Sequence, residues 1–147
     1  MILCRSDDQC QEFPTPENTV KVAVDRSESE NVEVCFNHFP PGCVARRHRH
    51  AGREQVYYVV RGTGTAYIGG EQVTLEPGKI VYVPRGVEHS TTADAREELM
   101  YVVFNAFSPG SDERKRGTFA EHYRHVLDEI ESLHGKKRDG HSLRSTK

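Results

Sequence analysis

From Thr19 to Leu99 the chain runs in short stretches of alternating apolar and polar residues, each cut off by Gly or Pro, with no apolar face recurring at helical spacing. That pattern builds a meander of short antiparallel strands and little else. Val20, Val22 and Val24 share one strand face. A strand over Val32 to Phe39 sets Val32, Val34, Phe36 and His38 on a common face, and the expectation is that His38 points into the same interior as the valines. Gly64 to Ile68, Gly69-Gly70 and Gln72 to Leu75 read as a hairpin, since Gly-Gly supplies the positive φ angles of a two-residue turn. With Ile80 to Val83 and Leu99 to Phe104 the total is about eight strands, which suits a small closed or sandwich-like barrel with room for one small ligand.

The character changes after Ser108-Pro109-Gly110. Thr118-x-x-Glu121 is a capping box, Phe119, Tyr123, Val126, Ile130 and Leu133 fall on one helical stripe, and Gly135 sits where a C-cap belongs. The expected layout is an N-terminal arm over 1–18, an all-β barrel over 19–110, a helical extension over 111–135 and a mobile, charged tail over 136–147. The helical stripe packs against the barrel or against a twin subunit.

A chain of 147 residues is long enough for one domain with a real core. A net charge of -2 gives no global field for drawing in nucleic acid or an anionic membrane. Cys4, Cys10, Cys35 and Cys43 show no C-x-x-C spacing, and Cys35 and Cys43 sit among apolar residues, which suits free thiols in a reducing cytosol. Met1 to Arg5 holds too short an apolar run for a secretory leader, and no stretch approaches a membrane-spanning length.

Chemistry concentrates in two stretches. In the first, Gly42 to Gly62, His48 and His50 lie two apart on one face, close to Glu54 and Gln55, and two imidazoles so placed can share one metal ion. In the second, Gly78 to His89, a Pro84-x-Gly86 turn delivers a third histidine. The two stretches resemble the paired signature motifs of the cupin superfamily: Gly, five residues, His-x-His, a short gap, Glu, six residues, Gly; then Gly, five residues, Pro-x-Gly-x-x-His. The resemblance implies a small jelly-roll β-barrel holding one divalent transition metal, Fe, Mn, Zn or Ni, through His48, His50, the residue at the Glu position, and His89. It also implies a homodimer.

Two positions depart from the pattern. Gln55 stands with six residues between it and Gly62, Glu54 is one place out of register, and the closing Asn of the second motif is Ala93. Because one step along a strand turns a side chain to the other face, Gln55 and Glu54 cannot both face the ion without a bulge. Gln55 is the expected fourth ligand and Glu54 the alternative. Three imidazoles and an amide leave the ion's double charge undiminished, which favours an anionic or enolate oxygen in the remaining positions. Such a ligand set resembles that of small cupins acting on unsaturated sugar acids.

Around these ligands, alternation puts Arg46 on the face of His48 and His50, as a clamp for a carboxylate or as a solvated surface residue, while Arg47 and Arg49 face away and Arg53 is read as exposed. Tyr57, two residues beyond Gln55, faces the ion as a base, in a position resembling that in some cupin lyases, or as a core tyrosine satisfied by a neighbour. His38 is a second candidate for proton transfer or a pocket residue. His122, His125, His134 and His141 belong to the helix and tail and need no metal. The expected activity is a metal-dependent isomerase, lyase or cyclase on a small anionic substrate; an Fe(II) dioxygenase and a non-catalytic ligand-binding cupin are the alternatives. A single helix after the barrel does not supply a helix-turn-helix.

Overall fold

The computed structural model describes residues 1–115 and 117–142, with side chains described for 1–113 and 117–135. Among the described residues, nine strands form two sheets. The larger has the order β1 (Gln11–Pro14), β2 (Thr19–Val24), β3 (Val32–Phe39), β9 (Leu99–Phe107), β4 (Arg53–Arg61) and β7 (Ile80–Val83); the smaller has the order β6 (Glu71–Leu75), β5 (Gly64–Ile68) and β8 (His89–Ala93). Every pairing is antiparallel. β1 comes from the segment read as an arm and adds an edge strand.

The segment from Cys43 to His50 completes the smaller sheet. It runs along β8 through bridges Val44–Thr92 and His48–His89, held by Ala45 N–H donating to the Thr91 carbonyl at 3.0 Å. The β5–β6 turn has Gly69 at φ 55° and Gly70 at φ 92°, as a two-residue hairpin requires. Gly62 closes the first motif for a different reason. Its φ is 78°, and a Cβ there would lie 2.0 Å from the Glu98 carbonyl oxygen, so no other residue fits. Between the sheets Leu75, Leu99, Val59, Ala66 and Val83 are fully buried and form the main core.

The interior face of β3 is opposite to the one expected. Glu33, Cys35 and Phe39 point inward, whereas Val32 is exposed and Val34, Phe36 and His38 are turned out. Apolar content misleads here for two reasons: the inner face carries a buried ion network, and the outer face of the sheet is itself apolar. His38 accordingly lies outside the barrel interior, 2.6 Å from an Asp7 carboxylate oxygen and 3.0 Å from one of Glu98.

After a short helix α1 (Asp112–Lys115), helix α2 (Phe119–Ser142) runs on past Gly135, where its end was expected. Residues 143–147, the rest of the segment read as a tail, lie outside the described residues. The Thr118 hydroxyl accepts from Glu121 N–H at 3.2 Å, and Asp25 accepts from Phe119 N–H at 3.1 Å, so both a local cap and a tertiary one start the helix. Phe119 packs with Phe13, Val22 and Cys35, and Ile130 is 1% exposed; the stripe is used on the chain's own barrel. No described helix is long and apolar enough to cross a membrane.

Candidate metal centre

His48 and His89 face each other because their backbones do: each N–H donates to the other's carbonyl, at 3.0 and 2.9 Å. Gly86 N–H donates to the His50 carbonyl at 2.8 Å, tying the second motif's turn to the first motif. The rings stand at centroid distances of 4.4, 4.9 and 5.2 Å, and one donor atom from each of the three lies within 4.8 Å of the others. His48 Nδ1 is 3.1 Å from the Arg46 carbonyl and His89 Nδ1 is 2.9 Å from that of Val87. Those contacts place the ring protons on Nδ1, which leaves both Nε2 lone pairs free.

All three imidazoles are held neutral. Burial, followed by the nearby His89, pushes His48 down to about 3; burial and Arg53 push His50 well below its ordinary range; burial lowers His89 as well. His89 Nε2 is fully buried and has no hydrogen-bond partner among the described residues. An orphaned, neutral nitrogen at the meeting point of three imidazoles fits a divalent metal ion.

Gln55 faces inward and is buried, while Glu54 is exposed on the other side of β4, accepting from the Tyr82 hydroxyl at 2.7 Å. Gln55 Nε2 donates to Asn105 Oδ1 at 2.7 Å, which orients the amide and leaves Oε1 as its only lone-pair donor. The Tyr57 hydroxyl donates to that Oε1 at 3.2 Å. Tyr57 is stacked on Tyr101 at 4.4 Å, and in the metal-free fold burial pushes its phenol well above the ordinary range.

Arg46 lines the cavity but is not free: it reaches Glu17 at 3.1 Å and Glu129 of α2 at 3.3 Å. Arg47 and Arg49 are exposed, as alternation requires. Arg53 is not exposed. It is buried with Glu33 and Arg26, against the half-buried Glu113: Arg26 Nε lies 2.7 Å from Glu33, Arg53 Nε 3.2 Å from Glu113, and Arg26 donates to the Glu113 carbonyl at 2.8 Å. One Arg53 Nη is 3.1 Å from both nitrogens of His50. An in-plane atom equidistant from both would overlap Cε1, so the guanidinium lies over the ring face, where its charge disfavours protonation of His50.

Sequence reasoning missed Arg53, Tyr101, Asn105 and His122 as cavity residues. Arg53 has the same strand parity as Gln55 and Tyr57, and Asn105 the same parity as Tyr101 and Val103, so period-two counting carried the signal. His122 is buried and lies inside the α2 stripe, three residues after Phe119. The cavity bounded by these groups has a volume of about 130 Å³, with α2 residues Phe119, His122, Tyr123, Val126 and Ile130 along one wall.

Residues 36–105 match the family model described as "Cupin domain". Over 63 residues the chain is 27% identical to an oxalate-binding protein of Thermotoga maritima, covering 43% of this chain and 52% of that protein, so it spans about half the length of the curated relative it matches. Among solved structures it is similar to KdgF from Halomonas sp., with 21% identity, TM-score 0.60, and 71% and 93% of the two chains covered. It is also similar to the polyketide cyclase RemF from Streptomyces resistomycificus, with 15% identity, TM-score 0.63 and coverage of 78% and 90%. A predicted oxalate decarboxylase from Thermotoga maritima aligns at 17% identity and TM-score 0.57, covering 74% and 100%. At these identities the structural likeness is one of fold.

Proposed function

Residues 36–105 of this chain are a cupin domain, and we propose that it works as a metal-dependent enzyme on a small anionic, oxygen-rich substrate, by enolisation-type isomerisation, elimination or cyclisation. The observation that carries this reading is the buried, unpartnered His89 Nε2 among three neutral imidazoles. His48, His50 and His89 would hold the ion, with Gln55 Oε1 as the fourth donor. When bound, the ion supplies Lewis acidity toward a substrate oxygen.

The chain's own groups divide the remaining work. A donor set without a carboxylate favours an anionic oxygen in the open positions. Tyr57 and Asn105 hold the Gln55 amide in one orientation, a positioning role. Arg46 meets a substrate carboxylate by exchanging Glu17 or Glu129 for it. His122, an imidazole outside the cluster that lines the same cavity, is placed to move a proton.

A second reading, a non-catalytic binder of a small dicarboxylate, draws on the relative named as an oxalate-binding protein and on the small cavity. Metal-loaded protein incubated in D2O with a panel of small keto, hydroxy and sugar acids separates the two by NMR. Metal-dependent loss of a substrate C–H signal, slowed at least tenfold in His122→Gln, is the enzyme result. Anions that raise the melting temperature with every C–H signal intact give the binder instead.

A further inference from the structure

Two of the three clustered imidazoles are oriented by backbone: the Arg46 carbonyl stands at Nδ1 of His48 and the Val87 carbonyl at Nδ1 of His89. At His50 the groups beside the ring nitrogens are the side chains of Arg53 and Glu113. The Arg53 Nη is 3.1 Å from both nitrogens, so its charge does not distinguish them. Glu113 does: its Oε1 comes to Nδ1, at 3.8 Å, with both side chains about 15% exposed. A negative charge on that side favours the proton on Nδ1 and leaves the Nε2 lone pair for an ion.

The carboxylate is held where it is by several contacts. Ser108 N–H donates to the Gly52 carbonyl at 2.8 Å, which lays the chain after β9 along the loop that carries His50. A Cβ on Gly52 would lie 2.7 Å from Ser111 Cβ and 3.5 Å from Glu113 Cβ. Gly52 has no positive φ, so glycine serves here to make room for this approach. Arg26 then donates to the Glu113 carbonyl at 2.8 Å, and Arg53 Nε lies 3.2 Å from Oε2. Charge works in the same direction. A guanidinium beside a ligand repels a dication, and Glu113 with Glu33, 3.9 Å from Arg53, offsets it.

We propose that Glu113 is a positioning residue of the metal centre: its carboxylate fixes the His50 ring proton on Nδ1 and so presents Nε2 to the ion. The centre is then completed by α1, outside the matched segment 36–105. This role rests on the reading of the histidine cluster as a metal site.

Two measurements on the full chain test it: the His50 tautomer in metal-free protein, from ring 1H–15N NMR, and zinc affinity by competition with a chelator. Glu113→Gln keeps the shape and removes the charge, and Asp112→Asn, the exposed carboxylate beside it, is the comparison. Wild type and Asp112→Asn should show the His50 proton on Nδ1. In Glu113→Gln the ring should become a mixture of tautomers, and zinc should bind at least about 10-fold more weakly. Loss of a purely structural contact would leave the tautomer as it is. A wild-type ring protonated on Nε2 overturns the proposal without any variant. So does a Glu113→Gln protein in which either readout is unchanged, or an equal loss in Asp112→Asn. If wild type binds zinc and Glu113→Gln binds it as well, the positioning role fails and the metal centre stands; if wild type binds none, both fall.

Discussion

At residue scale, Gln55 and Glu54 are neighbours with opposite fates. Gln55 has its amide oriented by Asn105 and its oxygen touched by Tyr57, whereas Glu54 binds Tyr82 outside. Calorimetric titration with zinc is expected to show Gln55→Ala weakened by about 10-fold or more and Glu54→Ala within about twofold of wild type. Burial of the imidazoles makes a second prediction. His48 falls to about 3 in the fold, below its ordinary value near 6.5, so the folded state favours its neutral form. The metal-free protein should hold that stability above about pH 6.5 and lose it progressively as pH drops toward 3, read from urea midpoints across that range. The meeting of His48, His50 and His89 and the inward turn of Gln55 were legible because strand parity and motif spacing agree on them. Arg53 was misread, since a charged residue beside a turn is ordinarily solvated; here Glu33 and Glu113 offset its burial. Cutting that network at Glu33→Gln leaves a buried guanidinium short of a partner and should cost about 3–5 kcal/mol in denaturant unfolding.

At the scale of elements, β3, β5 and β7 were legible to the residue, and β6 to within one residue at its start, because Gly-Gly, Gly and Pro punctuate alternating runs. Which face of β3 is inside was not. Period two fixes parity but not polarity, and both faces of this strand carry apolar side chains, one set against the core and one on the outer sheet surface. Helix α2 shows the same limit at its end: Gly135 has open space around it and no positive φ, so the helix passes through it. Its packing separates two leucine-sized neighbours. Ile130→Ala removes a fully buried side chain beneath the cavity wall and should cost about 2–4 kcal/mol, while Leu133→Ala, 46% exposed, should stay within about 0.5 kcal/mol by thermal or denaturant unfolding.

At the scale of the molecule, two sheets and one helix bring together groups far apart in the chain: three histidines from the Cys43–His50 segment and β8, an amide and two tyrosines from β4 and β9, and a fourth histidine from α2. That convergence was legible only in part. The motifs foretold the imidazoles, whereas His122 depends on where the helix docks, which local pattern does not encode. The arrangement makes sense as a whole if the histidine cluster holds a metal ion. Metal content by plasma mass spectrometry, on wild type purified without an affinity metal and on His89→Ala, tests that most directly. Wild type should carry close to one equivalent of a transition metal, and the variant should lose it. A wild type that carries none and cannot be loaded with iron, manganese, zinc or nickel would contradict it.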